Sequence, residues 1–317
     1  MIIELAIFFI AAIVLVKSSE CVVSSSTHLS RVLGISTFAV GFIIISIATS
    51  LPELAVAVFS ALAGSPGLSV GDIVGSNLTD LTLILGIVAI VGGPLYLKKH
   101  ELMNLIELLF FTSLITVLIF FQFSQLTILH GIILLGLFGY LLLNLFNQGK
   151  IPREVFDGVQ EKTAMAFAKL GGSIALLLIA AHFMVESASA IAVATGVSQS
   201  LIGATLVALS TSLPELAVEL RAVKSKQYAL ALGDLFGSAV TNITLVLGSL
   251  VILSHGNTVI DMKPVIGIFP IFFITLFFIW YSLSRKEKIS KTTGIILIGL
   301  YILFLVQELN IVAFLTG

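Results

Sequence analysis

Eight consecutive residues occur twice in this chain, as Thr49-Ser50-Leu51-Pro52-Glu53-Leu54-Ala55-Val56 and as Thr211-Ser212-Leu213-Pro214-Glu215-Leu216-Ala217-Val218. Each copy lies inside an apolar stretch long enough to span a bilayer. In hydrocarbon every backbone polar group must be satisfied within the protein, and a carboxylate at that depth is expensive. A proline there removes a donor and strands carbonyls about one turn upstream. A chain carrying this combination at equivalent points of two halves is constrained to a polytopic fold with a polar site where the repeats meet.

The duplication extends well beyond the octapeptide. Gly34-Ile35-Ser36 matches Gly196-Val197-Ser198, Gly71-Asp72 matches Gly233-Asp234, and Gly75-Ser76 matches Gly237-Ser238, all at an offset of 162 residues. Between Gly41–Gly86 and Gly203–Gly248, 19 of 46 positions are identical without a gap. One register kept across glycines, acids and hydroxyls is a repeat rather than shared apolarity.

Only 10% of the 317 residues are charged, against about a quarter in soluble proteins. Hydropathy and charge positions predict ten membrane spans, at 2–23, 36–61, 69–95, 102–121, 126–147, 166–190, 198–223, 229–253, 264–283 and 292–312. The expected fold is therefore an all-α polytopic membrane protein. Its parts are a first five-helix repeat (1–147), a cytoplasmic linker (148–165) and a second, inverted repeat (166–317). Met1 to Val16 is apolar but carries Glu4 where a secretory signal would be basic, so it reads as a retained first span. No separate soluble or regulatory domain is expected.

Five spans per half is an odd number, so the second half should enter upside down. Placing the loops after spans 1, 3, 5, 7 and 9 on one side collects fourteen Lys and Arg there against Lys263 alone on the other. That bias predicts a cell-membrane protein with both termini extracellular.

The chemistry sits in two segments per half. The prolines free carbonyls near Ser46 to Thr49 and near Ala208 to Thr211, beside the hydroxyls of Thr49, Ser50, Thr211 and Ser212. With Glu53 and Glu215 these make an all-oxygen donor set, which suits Ca²⁺, Na⁺ or Mg²⁺ rather than zinc or copper. The second segment, Gly75-Ser76-Asn77-Leu78-Thr79-Asp80, is matched by Gly237-Ser238-Ala239-Val240-Thr241-Asn242. Asp80 and Asn242 are expected to complete a ring with the two glutamates.

These segments resemble the α-repeats of the cation/Ca²⁺ exchanger superfamily, and within it those of its sodium/calcium exchanger-like members. The resemblance covers essentially the whole chain. It implies that Glu53 and Glu215 are the central carboxylates and that Asp80 and Asn242 are the central Asp/Asn positions. It also implies that Ser46, Ser50, Ser76, Ala208, Ser212 and Ser238 supply sodium ligands, and that Thr49 and Thr211 give carbonyls to calcium. The chain departs from a familiar archaeal pattern in carrying Asp in the first repeat and Asn in the second. Ser-Leu-Pro-Glu in place of the Asn-Glu type of signature of proton-coupled members favours sodium.

The implied function is a secondary active Na⁺/Ca²⁺ antiporter, with H⁺/Ca²⁺ exchange through the same carboxylates as the alternative. Ca²⁺ and Na⁺ are transported ions rather than cofactors, and the lipid bilayer is the expected partner. No nucleic acid, protein partner or cofactor is implied. An enzyme is not expected: the histidines at 28, 100, 130, 182 and 255 are scattered and no His-Glu-x-x-His occurs. Three further acids are read as structural. Glu219 is expected to pair with Arg221 or a nearby lysine. Asp72 and Asp234 are expected to sit in first helical turns, with Ser69 and Asp72 forming a capping box.

Overall fold

The computed structural model describes residues 2–62, 66–96, 106–107, 109–111, 113–114, 125–148, 163–194, 211–254, 258–259, 267–286 and 288–316. Span 4 and the first part of span 7, with the linker, fall largely outside these residues. Thirteen α-helices are described here. They are α1 (Ile2–Leu33), α2 (Thr37–Val40), α3 (Ser46–Thr49), α4 (Leu51–Leu62), α5 (Pro66–Thr79), α6 (Leu85–Gly92) and α7 (Ile128–Gln148). The remainder are α8 (Thr163–Ala194), α9 (Leu213–Lys224), α10 (Tyr228–Thr241), α11 (Leu247–Leu253), α12 (Ile268–Lys286) and α13 (Lys291–Thr316).

Three π-helical turns join pieces of one span: Gly41–Ile45 between α2 and α3, Asp80–Ile84 between α5 and α6, and Asn242–Val246 between α10 and α11. Five described helices are long and apolar enough to cross a membrane, and a sixth if the pair Thr37–Thr49 and Leu51–Val58, bent by 42°, is one span. The bend falls at Ser50, as Pro52 requires. Ser50 and Ser212 share one backbone conformation, with φ −81° and ψ 7° at the first and φ −88° and ψ 3° at the second.

The 162-residue register carries over into structure. α4 and α9, α5 and α10, and the π turns at Asp80 and Asn242 begin and end at equivalent positions. Contacts recur in related pairs. A Cβ on Gly86 would lie 2.8 Å from the Gly294 carbonyl, and one on Gly248 3.2 Å from that of Gly131. Two antiparallel clips, which the helical reading did not anticipate, obey the same rule: Leu95 pairs with Ile289, and Leu126 with Thr258.

Two apolar clusters result. The larger, around Phe42, Leu78, Leu85, Phe236 and Phe272, encloses the broken spans. The other joins α1 to α8 through Leu15, Val22, Leu29, Leu170 and Leu177, and reaches Val218 and Ala222 on α9. Their α1 and α8 partners are the long spans lying outside the duplicated signature.

One start differs from expectation. α5 begins at Pro66 rather than at 69, with the ring pre-set for the first helical turn, whereas α10 begins at Tyr228, within one residue of its expected start. Asp72 and Asp234 therefore lie in second turns, and the Ser69 hydroxyl, buried within α5, caps nothing among the described residues.

Candidate cation site

Both glutamates are brought to one place by the same local device. Pro52 and Pro214 interrupt the helix, and Glu53 and Glu215 follow in the first turn of the restarted helix, where the dipole favours a carboxylate. Each is 1% exposed. Each lies within electrostatic reach of the other and of Asp80. Asp80 and Asn242 each open a π turn on the partner spans, and both are buried. Single π turns commonly mark functional positions, because they rotate one residue out of the regular helical register.

Hydroxyls link the halves. Ser50 Oγ stands 3.0 Å from Ser238 Oγ, and the Ser238 hydroxyl donates to Glu215 Oε1 at 3.4 Å. Since Ser238 gives its proton to Glu215, it accepts the one from Ser50. Ser76 Oγ and Thr211 Oγ1 are 3.1 Å apart, and Ser212 lies beside Asp80. The Thr49 hydroxyl sits between the Ile45 carbonyl, at 3.2 Å, and Asp234 Oδ1, at 3.3 Å. The Ser46 hydroxyl donates back to the Phe42 carbonyl in its own helix. Ala208 lies outside the described residues.

Asn77 was not singled out from the sequence. Its amide donates to the Ala239 carbonyl at 3.1 Å, and its Oδ1 accepts from Asn242 Nδ2 at 3.0 Å. Ala239 is the residue 162 positions after Asn77, so Asn77 bonds across to its own counterpart. The available signal was the mismatch itself, Asn against Ala within an otherwise matched pair of segments. Replacing Asn77 with Leu leaves the buried Asn242 amide without its partner, at about 1–3 kcal/mol, while the Ala239 carbonyl keeps the backbone N–H of Asn242. We expect a lowered melting temperature and weakened Ca²⁺ binding, read by thermal unfolding with and without Ca²⁺. A variant that melts and binds like the parent would count against the bridge.

What remains unpaired defines the chemistry. Glu53 Oε2, Glu215 Oε2, Asp80 Oδ1 and Asn242 Oδ1, with the Ser212, Thr79 and Thr241 hydroxyls, are buried without a hydrogen-bond partner among the described residues. Five carboxylates (Glu53, Asp80, Glu215, Glu219 and Asp234) are fully buried there, whereas no Lys, Arg or His is. Unpaired charge in such a place is costly, so the array requires cations or protons. Among the described residues no three acidic, imidazole or thiolate side chains close round one point. A cation held here would therefore combine carboxylates with hydroxyl and amide oxygens, as hard ions accept.

Three acids contradict their structural reading. Glu219 does not pair with Arg221, which instead meets Glu20 on α1 at 3.3 Å. Asp234 is fully buried and bonded to Thr49, and both Asp72 carboxylate oxygens are buried without a hydrogen-bond partner among the described residues. The run Gly67-Leu68-Ser69-Val70-Gly71 has the spacing of a nucleophile elbow, which the sequence reading passed over. Ser69 lies inside α5, however, and the elbow needs a strand-to-helix turn.

The chain matches the sequence model of the family described as sodium/calcium exchanger protein over residues 3–147 and 165–309. It is 30% identical to an uncharacterised membrane protein of Methanocaldococcus jannaschii, covering 93% of this chain and 95% of that one. It is 27% identical to the sodium/calcium exchanger MaX1 of Methanosarcina acetivorans, covering 95% and 97%. Among solved structures it superposes on the sodium-calcium exchanger NCX_Mj, soaked with Na⁺ and Sr²⁺, with a TM-score of 0.83 at 26% identity, covering 96% and 98%.

Proposed function

The chain belongs to the sodium/calcium exchanger protein family, and from that premise we propose that it is a secondary active antiporter exporting Ca²⁺ in exchange for Na⁺. It is a multi-pass membrane protein of a transporter family. The observation that carries the proposal is the buried array of carboxylate, hydroxyl and amide oxygens around Glu53 and Glu215, with no buried base among the described residues.

In this reading Glu53 and Glu215 hold Ca²⁺ with the carbonyls of Thr49 and Thr211. Na⁺ takes the same carboxylates with Ser46, Ser50, Ser76, Ala208, Ser212 and Ser238. Asp80 and Asn242 close the ring. Ten spans form two inverted five-helix repeats, a first to residue 147 and a second from 166. The paired contacts support this arrangement, because two-fold symmetry makes residue i meet j′ where j meets i′. Alternating access opens the fixed site first past one half and then past the other. Both termini face outward.

Charge decides the coupling. Glu53, Glu215 and Asp80 sum to −3 when ionised. Three Na⁺ neutralise them and one Ca²⁺ leaves −1, so exchanging the two loads moves one net charge. A charge crossing the membrane is worth about 2.3 kcal/mol per 100 mV, or roughly a fifty-fold shift in the ion ratio sustained. The ring cannot cross empty, since three bare buried carboxylates are too costly.

The competing reading is H⁺/Ca²⁺ exchange. Proteoliposomes given a potassium-diffusion potential should change their Na⁺-driven Ca²⁺ flux steeply with voltage, while a pH gradient alone should drive none. Ca²⁺ flux driven by the pH gradient without Na⁺ would replace sodium by protons as the coupling ion. Flux indifferent to voltage would remove the electrogenic stoichiometry.

A further inference from the structure

Two of the buried acids, Glu219 and Asp234, have no part in the exchange just described. Glu219 is fully buried on α9, and neither of its carboxylate oxygens has a hydrogen-bond partner among the described residues. It follows Glu215 by one turn, about 6 Å along the axis, and so shares its face. Asp234 is fully buried on α10, which packs against α9. Its Oδ1 faces the Thr49 hydroxyl at 3.3 Å, and its Oδ2 has no partner. The charge of Asp234 acts on Glu219, and Asp80 is felt by both. Arg221, the base nearest in sequence, is turned outward to Glu20.

We infer that Glu219 and Asp234 form a further cation-binding position, adjoining the central ring, that takes one Na⁺. The inference rests on the antiport reading above. Two interacting carboxylates with no buried base among the described residues each carry a desolvation cost, and one cation shared by them relieves both. With Oδ1 engaged by Thr49, three carboxylate oxygens remain, well short of the six to eight that Ca²⁺ collects. A monovalent ion suits the place.

The position exists on one side only. The counterpart of Glu219 in the first half is Ala57, fully buried, so Asp72 there has no acidic neighbour one turn beyond Glu53. It also lies between the ring and the end of α9 that bears Arg221 and Lys224. An ion leaving Glu215 toward that end meets it next, which makes it a stepping position on one access route.

Equilibrium binding of ²²Na⁺ to the full-length protein in detergent, without Ca²⁺, tests this. Glu219→Gln should bind one Na⁺ fewer than the parent. Asp234→Asn should lose the same ion, and the double variant no more. In proteoliposomes the half-saturating Na⁺ for Ca²⁺ exchange should rise about tenfold. Equal Na⁺ counts in parent and Glu219→Gln would overturn the inference. If Glu219→Gln does not purify as a single species, Glu219→Asp keeps the charge one methylene short. It should keep the count with weaker affinity, and unchanged affinity would count against the site. Glu53→Gln run in parallel separates the two claims. Exchange surviving in that variant removes the antiport reading itself, whereas its loss beside an unchanged count in Glu219→Gln removes only the added position.

Discussion

Glu53→Gln is expected to abolish Ca²⁺ exchange while leaving the protein at least as stable as the parent. The substitution keeps side-chain volume but puts an amide donor where an oxygen acceptor is required, and it removes one of three ring charges. Outer-shell partners of a metal typically cost about 10–100-fold in affinity when lost, so a direct carboxylate should cost more than a hundredfold. Stability should move the other way. Glu53 is 1% exposed, lies among acids and faces no buried base among the described residues, so its charge opposes the ion-free fold. Thermal unfolding separates these effects. At a hundred times its Kd, a ligand stabilises by about 2.7 kcal/mol. The parent should therefore melt higher with Ca²⁺, and Glu53→Gln should melt alike with and without it. A Ca²⁺-induced shift retained in the variant would remove Glu53 from the site.

The second large effect lies in the backbone. A Cβ on Gly41 would fall 2.5 Å from the Leu230 carbonyl oxygen and 3.0 Å from the Asp234 amide. At Gly233 it would strike the Phe38 carbonyl. These neighbours are backbone atoms of packed helices and cannot rotate away. Ala is ordinarily favoured over Gly inside a helix by about 1 kcal/mol, yet overpacking costs about 1–3 kcal/mol. Gly41→Ala and Gly233→Ala should therefore destabilise, and by pushing α10 outward they should break the Thr49–Asp234 contact and lower exchange. Gly171 and Gly172 on α8 have nothing within 4 Å of a Cβ, so Ala there should be neutral or stabilising. Melting temperatures that fail to distinguish the two pairs would show that the close approach is relaxed in the membrane.

The sequence exposed the frame of the fold and the centre of the site because both rest on strong local costs. Proline in an apolar span must break the helix, and Glu53 and Glu215 at that depth must be used. Their duplication made the second break legible from the first. Less legible were features set by packing between spans. The π turns at Asp80 and Asn242 leave no propensity signal in the sequence. Asp72 reads as an ordinary first-turn acid because hydropathy places the start of its helix at 69, three residues after Pro66. Glu219 looked paired with Arg221 because they are close in sequence, but two residues apart on a helix they point to different faces.

The most direct test is Ca²⁺ uptake into Na⁺-loaded proteoliposomes diluted into Na⁺-free medium. The account predicts uptake that requires internal Na⁺ and grows as the interior is made more positive, because releasing three Na⁺ for one Ca²⁺ carries one net positive charge outward. Uptake of equal size from vesicles loaded with choline in place of Na⁺ would contradict it.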